Sequence, residues 1–198
     1  DAGAQLARLT VASDPAAVAG CDLVIEAVFE DYDAKQALFD TLKKGLGMVP
    51  NLYATLALSE HALGSYLALQ NAKSSLDAKS REVINLVVSQ VNSCQYCLSA
   101  HTVIGAMVGF TPEQILEIRR GTASFDARLD ALARLVKNIA LERGHADPAR
   151  VQAFFDAGWT PANLVDAIVV IGDKTVTNYL HGTTQVPVDF PAAPALTH

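Results

Sequence analysis

Three times in its second half the chain sets a side-chain oxygen directly before a proline: Thr111-Pro112, Asp147-Pro148 and Thr160-Pro161. The oxygen accepts from the unpaired N–H groups of a first helical turn. Proline at the first helical position lacks only an N–H that would have had no partner, and its φ is already helical. Such marks fix where helices start. Glycines then close several segments, at Gly45, Gly109, Gly144 and Gly158. Between these signals the apolar residues recur every three or four positions. From Tyr32 onward the chain therefore reads as all-α. Helices are expected over 34–44, 52–58, 60–72, 77–91, 94–109, 126–142, 148–157 and from 161 to about 179, with another opening at Pro112. The tail from Val186, with Pro187, Pro191 and Pro194, reads as extended.

Residues 1–31 have a different texture. Asp22-Leu23-Val24-Ile25-Glu26-Ala27-Val28-Phe29 is a short apolar, β-branched run that reads as a buried strand. The expected division is a short appendage, with this strand pattern, over 1–31 and a helical domain over 32–198. The chain begins at Asp1 rather than Met, which points to sequence upstream of it.

Composition narrows the function. The formal net charge of −6 comes with no basic stripe, which argues against nucleic acid as a partner. No apolar run approaches the roughly 18 residues of a membrane span. Three cysteines, two of them in one Cys-x-x-Cys, suit a reducing cytoplasm better than a disulfide scaffold.

That Cys-x-x-Cys carries the chemistry. Cys94, Cys97 and His101 fall at i, i+3 and i+7, along one face of a helix. Asn92-Ser93 is the expected N-cap. A thiol attacks as thiolate, and a helix N-terminus, a second sulfur and an imidazole all favour that form. Glu82 joins only through the tertiary fold. Were helix 77–91 to run straight on, Glu82 would lie roughly 18 Å from Cys94. With a reversal at Asn92-Ser93, Glu82 and His101 lie ten residues before and nine residues after Asn92, facing each other. The order Glu82–His101–Cys97–Cys94 then reads as a proton relay ending in a nucleophile and its resolving partner. The same residues admit two other readings: buried thiols beside a core histidine, or a zinc site of Cys94, Cys97, His101 and Glu82. Elsewhere, Arg119-Arg120 reads as a solvated helix end, His181 as a helix C-cap or pocket residue, and Trp159 with Phe154-Phe155 as core or subunit contact.

Glu82, eleven residues, Cys94-x-x-Cys97, three residues, His101 resembles the alkylhydroperoxidase D-like branch of the carboxymuconolactone decarboxylase superfamily. Gly47 to Tyr53, Ile84 to Asn92, Asn178-Tyr179 and Asp189-Phe190-Pro191 extend the similarity over about Ala34 to Pro191. The resemblance implies an alkylhydroperoxidase D-like helical bundle and a homo-oligomer, a trimer or hexamer. It implies a peroxidase that reduces organic hydroperoxides or hydrogen peroxide without a bound cofactor. Cys97 would be the peroxidatic nucleophile, Cys94 the resolving thiol, and His101 with Glu82 the relay; a dithiol or lipoylated carrier would return the electrons. Where the best-known member has a second histidine, this chain has Tyr96. A lactone-acid lyase and a non-catalytic dithiol switch are the competing functions. Separately, Ala19 to Asp31 resembles an interior piece of a 3-hydroxyacyl-CoA dehydrogenase, without the glycine-rich phosphate loop.

Overall fold

The computed structural model describes residues 48–196 and, ahead of them, 36, 37, 39, 40, 43 and 44, which are helical. The strand expected over 22–29 lies outside the described residues. Among those described there are eight further α-helices and no strand. They are α1 (Asn51–Leu56), α2 (Ala62–Gln70), α3 (Ala78–Val91), α4 (Gln95–Met107), α5 (Pro112–Arg119), α6 (Ala127–Leu141), α7 (Pro148–Asp156) and α8 (Pro161–Thr184). No helix among the described residues is long and apolar enough to cross a membrane.

The cap-plus-proline signals mark true starts. Thr111 and Thr160 each accept from the third helical N–H, and Gln114 and Asn163 bond back to the cap nitrogen. Asp147 accepts from Ala149 N, and Asp77 and Asp126 cap α3 and α6 in the same way. The helix opening at Pro161 runs past Tyr179 to Thr184 and ends where Gln185 turns left-handed at φ 52°.

α3 is the hub. It packs against α4, α5, α6 and α8, and Val83, Ile84, Leu86, Val87 and Val88 along it are wholly buried. α6 answers with Leu132, Leu135 and Val136. α7 closes this core with Phe154, stacked on Trp159 at 5.4 Å between ring centroids, while the Arg128 guanidinium covers the indole from 3.9 Å. Phe154→Ala is expected to cost about 3–5 kcal/mol of stability, because the side chain is fully buried and the stack cannot close over the gap. Urea unfolding followed by circular dichroism measures this.

Two smaller clusters stand apart from that core. One gathers Leu56, Leu63 and Tyr66 from α1 and α2; the other gathers Leu52, Cys94, Tyr96 and Cys97 with Phe190 from the tail. The thiols thus sit between α4, α1 and the C-terminal segment rather than in the main core. Arg119 departs from its expected solvated position. It is buried, with Nε donating to Gln90 Oε1 and Nη1 to the Pro194 carbonyl, because the tail crosses over it.

Candidate active site

The turn between α3 and α4 creates the site. Ser93 takes a left-handed φ of 53°, and the chain reverses there. Ser93 is therefore not the cap that the sequence suggested. Cys94 is: its Sγ accepts from the Cys97 N–H at 3.3 Å, and the helix starts at Gln95. A serine in left-handed backbone cannot aim its hydroxyl along the new helix axis, so the extended residue after it takes the role.

The reversal lays α4 against α3 and brings Glu82 to His101. The His101 Nδ1–H donates to Glu82 Oε2 at 2.7 Å, and both side chains are 8% exposed. Glu82 Oε1 accepts from Asn85 Nδ2 at 2.8 Å. Burial works to raise the Glu82 carboxyl, but the charge and hydrogen bond of His101 and the bond from Asn85 outweigh it and hold the group below its ordinary value. With Nδ1 engaged, Nε2 is the imidazole nitrogen left to serve the cavity that His101 lines.

That cavity has a volume of about 260 Å³. Its walls are largely apolar, with Met48, Pro50, Leu52, Ile104, Met107 and Phe190, and its polar groups include Cys97, His101 and Lys174. Cys97 lines it, whereas Cys94 and Glu82 do not. The two sulfurs are unequal in another respect. The Cys94 thiol donates to Cys97 Sγ and pulls the Cys97 thiol down to about 5; burial opposes this, and Lys174, His101 and Asn178 assist it. The same hydrogen bond, with burial, pushes the Cys94 thiol far up. Both cysteines are unbridged.

An acidity shift of this kind has a definite pH signature. A free thiol ionises near 8.5. The folded-state value for Cys97 is depressed, so the thiolate persists as pH falls and is lost only below about 5. Alkylation of Cys97 by iodoacetamide is therefore expected to be flat from pH 7 to 6 and to fall about tenfold per unit below 5. Stopped-flow alkylation with mass-spectrometric assignment of the site measures it.

Several residues have roles at the site that sequence reasoning did not assign. Tyr96 ties the tail down: its hydroxyl donates to Asp189 Oδ1 at 2.6 Å and accepts from Leu52 N at 3.3 Å, while Asn51 N donates to Asp189 Oδ2 at 2.6 Å. The rings of Phe190 and His181 pack on Tyr96. His181 is thus a buried helix residue, neither a cap nor part of the cavity wall. Asn178 accepts from Asn92 Nδ2 and donates to Ser89 Oγ, joining α8 to the end of α3 beside both sulfurs. Lys174, also from α8, carried no sequence signal beyond being a charge in an apolar helix. Among the described residues no three His, Cys, Asp or Glu side chains are grouped to hold a metal ion.

Comparison with known proteins agrees with this architecture. The model of the carboxymuconolactone decarboxylase family matches residues 58–138, a stretch that contains Glu82, Cys94, Cys97 and His101. An uncharacterized peroxidase-related protein from Silicibacter sp. TM1040 superposes with a TM-score of 0.72 at 25% identity, over 78% of this chain and 84% of that one. The helical part of the chain has the alkylhydroperoxidase D-like helical fold, and within it the matched stretch is similar to the carboxymuconolactone decarboxylase family. An alkylhydroperoxidase D core structure, an uncharacterized peroxidase-related protein from Ralstonia eutropha JMP134, matches this alkylhydroperoxidase D-like domain with a TM-score of 0.72 at 20% identity, over 79% of this chain and 86% of that one. The debrominase Bmp8 shares the fold at 15% identity and a TM-score of 0.67, over 81% of this chain and 89% of that one. No curated protein sequence matches the chain significantly. The model of the 3-hydroxyacyl-CoA dehydrogenase NAD-binding domain matches residues 1–48, around the segment whose resemblance the sequence analysis noted.

Proposed function

We propose that the protein is a thiol peroxidase that reduces organic hydroperoxides through a Cys94–Cys97 disulfide. The observation that carries this reading is the inequality of the two sulfurs: an acidic Cys97 on the cavity wall, and a protonated Cys94 behind it. Cys97 thiolate attacks the terminal oxygen of the peroxide. The S–O bond forms, the O–O bond breaks, and the departing alkoxide takes a proton from the His101 imidazolium. Sulfur is oxidised to sulfenic acid, and the hydroperoxide is reduced to an alcohol. Cys94 then attacks the sulfenic sulfur and gives up its proton to the departing hydroxyl; an S–S bond forms, the S–O bond breaks and water leaves. A dithiol donor, free or on a lipoylated carrier, then reduces the disulfide. Glu82 holds His101 in the tautomer whose Nε2 serves the cavity. An apolar cavity of about 260 Å³ favours an organic hydroperoxide over hydrogen peroxide, since a water-sized molecule needs only about 30 Å³.

In this reading residues 32–198 form the catalytic domain and residues 1–31 an appendage outside the reaction. Self-association belongs to it as well. α8 leaves Val165, Ile168, Val169, Val176 and Tyr179 exposed on one side, an apolar stripe that a trimer or hexamer would cover. A lactone-acid lyase would have no use for an acidic thiol paired with a second one. The test titrates thiols before and after one equivalent of cumene hydroperoxide, comparing wild type with Cys94→Ser. Two thiols lost in the wild type and a dimedone-trapped sulfenic acid on Cys97 in the variant support the reading. Thiols that survive the peroxide sink it.

A further inference from the structure

Lys174 is a buried charge that the proposed reaction leaves unused. It comes from the middle of α8, is 3% exposed, and lines the cavity together with Cys97 and His101. Its ammonium takes part in none of the hydrogen bonds or ion pairs among the described residues. A buried ammonium without a partner costs several kcal/mol and is not retained without compensation.

Two groups of the site feel this charge. Lys174 interacts electrostatically with Glu82 and Cys97. Both Glu82 oxygens are already occupied, one by His101 and one by Asn85. Asp173, the neighbour of Lys174 on α8, has a buried Oδ1 without a hydrogen-bond partner, yet makes no ion pair with the ammonium. Cys97 is faced by Cys94, Tyr96 and His101 from α4 and its cap, by Tyr53 from α1, and by Lys174 and Asn178 from α8. Of these, Lys174 alone carries a positive charge without first accepting a proton from the site.

We infer that Lys174 is the standing counter-charge of the Cys97 thiolate. It holds the sulfur ionised independently of the His101 proton, so the imidazole can give that proton to the departing oxygen without removing the thiolate's counter-charge. Burial on α8 fixes the ammonium in place and keeps bulk water from screening it. The inference rests on Cys97 being the reactive sulfur, as proposed above, and not on the identity of the oxidant.

The test uses the full chain with Cys94→Ser, so that one site thiol remains, and follows iodoacetamide alkylation of Cys97 against pH. Lys174→Met keeps the length and apolar bulk of the side chain and removes the charge. Its midpoint is expected to rise by at least about one unit, slowing alkylation at pH 5.5 by up to about tenfold. Lys174→Arg, which keeps the charge, is expected to leave the midpoint near that of the lysine parent. A packing defect alone would lower the melting temperature without moving the midpoint. A folded Lys174→Met with the parent midpoint overturns the inference. Where Lys174→Met does not fold, the lysine parent decides it through its iodoacetate-to-iodoacetamide rate ratio. A ratio above that of free cysteine is expected beside a fixed cation, and one at or below it overturns the inference. Oxidation by cumene hydroperoxide is measured separately on the parent. A midpoint shift in a protein inert to peroxide sustains the counter-charge while removing the peroxidase reading.

Discussion

Cys97→Ser is expected to reduce peroxide consumption, with dithiothreitol as reductant, to the uncatalysed background. The hydroxyl has no accessible oxyanion at neutral pH, and among the described residues no other thiol lines the cavity to replace it. Cys94→Ser is expected to behave differently. The serine oxygen still caps α4, because a hydroxyl accepts from the Cys97 N–H as the sulfur does. The first oxidation of Cys97 should therefore survive, while sustained turnover is lost for want of a resolving thiol. A ferrous–xylenol orange assay for residual peroxide, run as single and multiple turnovers, separates the two outcomes. Sustained turnover in Cys97→Ser would remove the assignment altogether.

Glu82→Gln is the second large effect, expected at about 10²- to 10⁴-fold in the rate of peroxide turnover. The substitution conserves volume and leaves an amide oxygen for the His101 Nδ1–H. It would set a donor against Asn85 Nδ2, but Asn85 Oδ1 is buried without a partner, so a flip of the Asn85 amide supplies an acceptor. The fold should accordingly lose little stability. What disappears is the negative charge that faces the imidazole across the Nδ1 hydrogen bond. Loss of rate with a near-native melting temperature is the expected pair of results. An unchanged rate would show that the carboxylate only packs against the imidazole.

The helix starts were legible in the sequence because each rests on one local rule. Thr111, Asp147 and Thr160 cap where the proline after them says they should. Glu82 and His101 were legible for a different reason: similar distances from one turn set them opposite each other once the chain reverses. The capping atom of α4 was not, because a left-handed Ser93 hands the task to Cys94, and neither residue type announces this. Arg119 was misread because its partners are the Gln90 amide and a carbonyl from a crossing tail, which no nearby spacing encodes. Lys174 and Asn178 reach the sulfurs only through the packing of α8, and their own neighbourhood reads as the polar stripe of a long helix.

The bond between Tyr96 and Asp189 spans 93 residues of chain. On the ribosome, Tyr96 and the cysteines beside it emerge well before the segment that will cover them. Phe190, the residue after Asp189, can seat on Tyr96 only once that whole stretch has been made. Until then the Cys-x-x-Cys pair is a nascent dithiol without its wall. The order of translation thus makes the redox state of the surroundings part of the folding problem: the pair must arrive reduced at a pocket whose last side is built last.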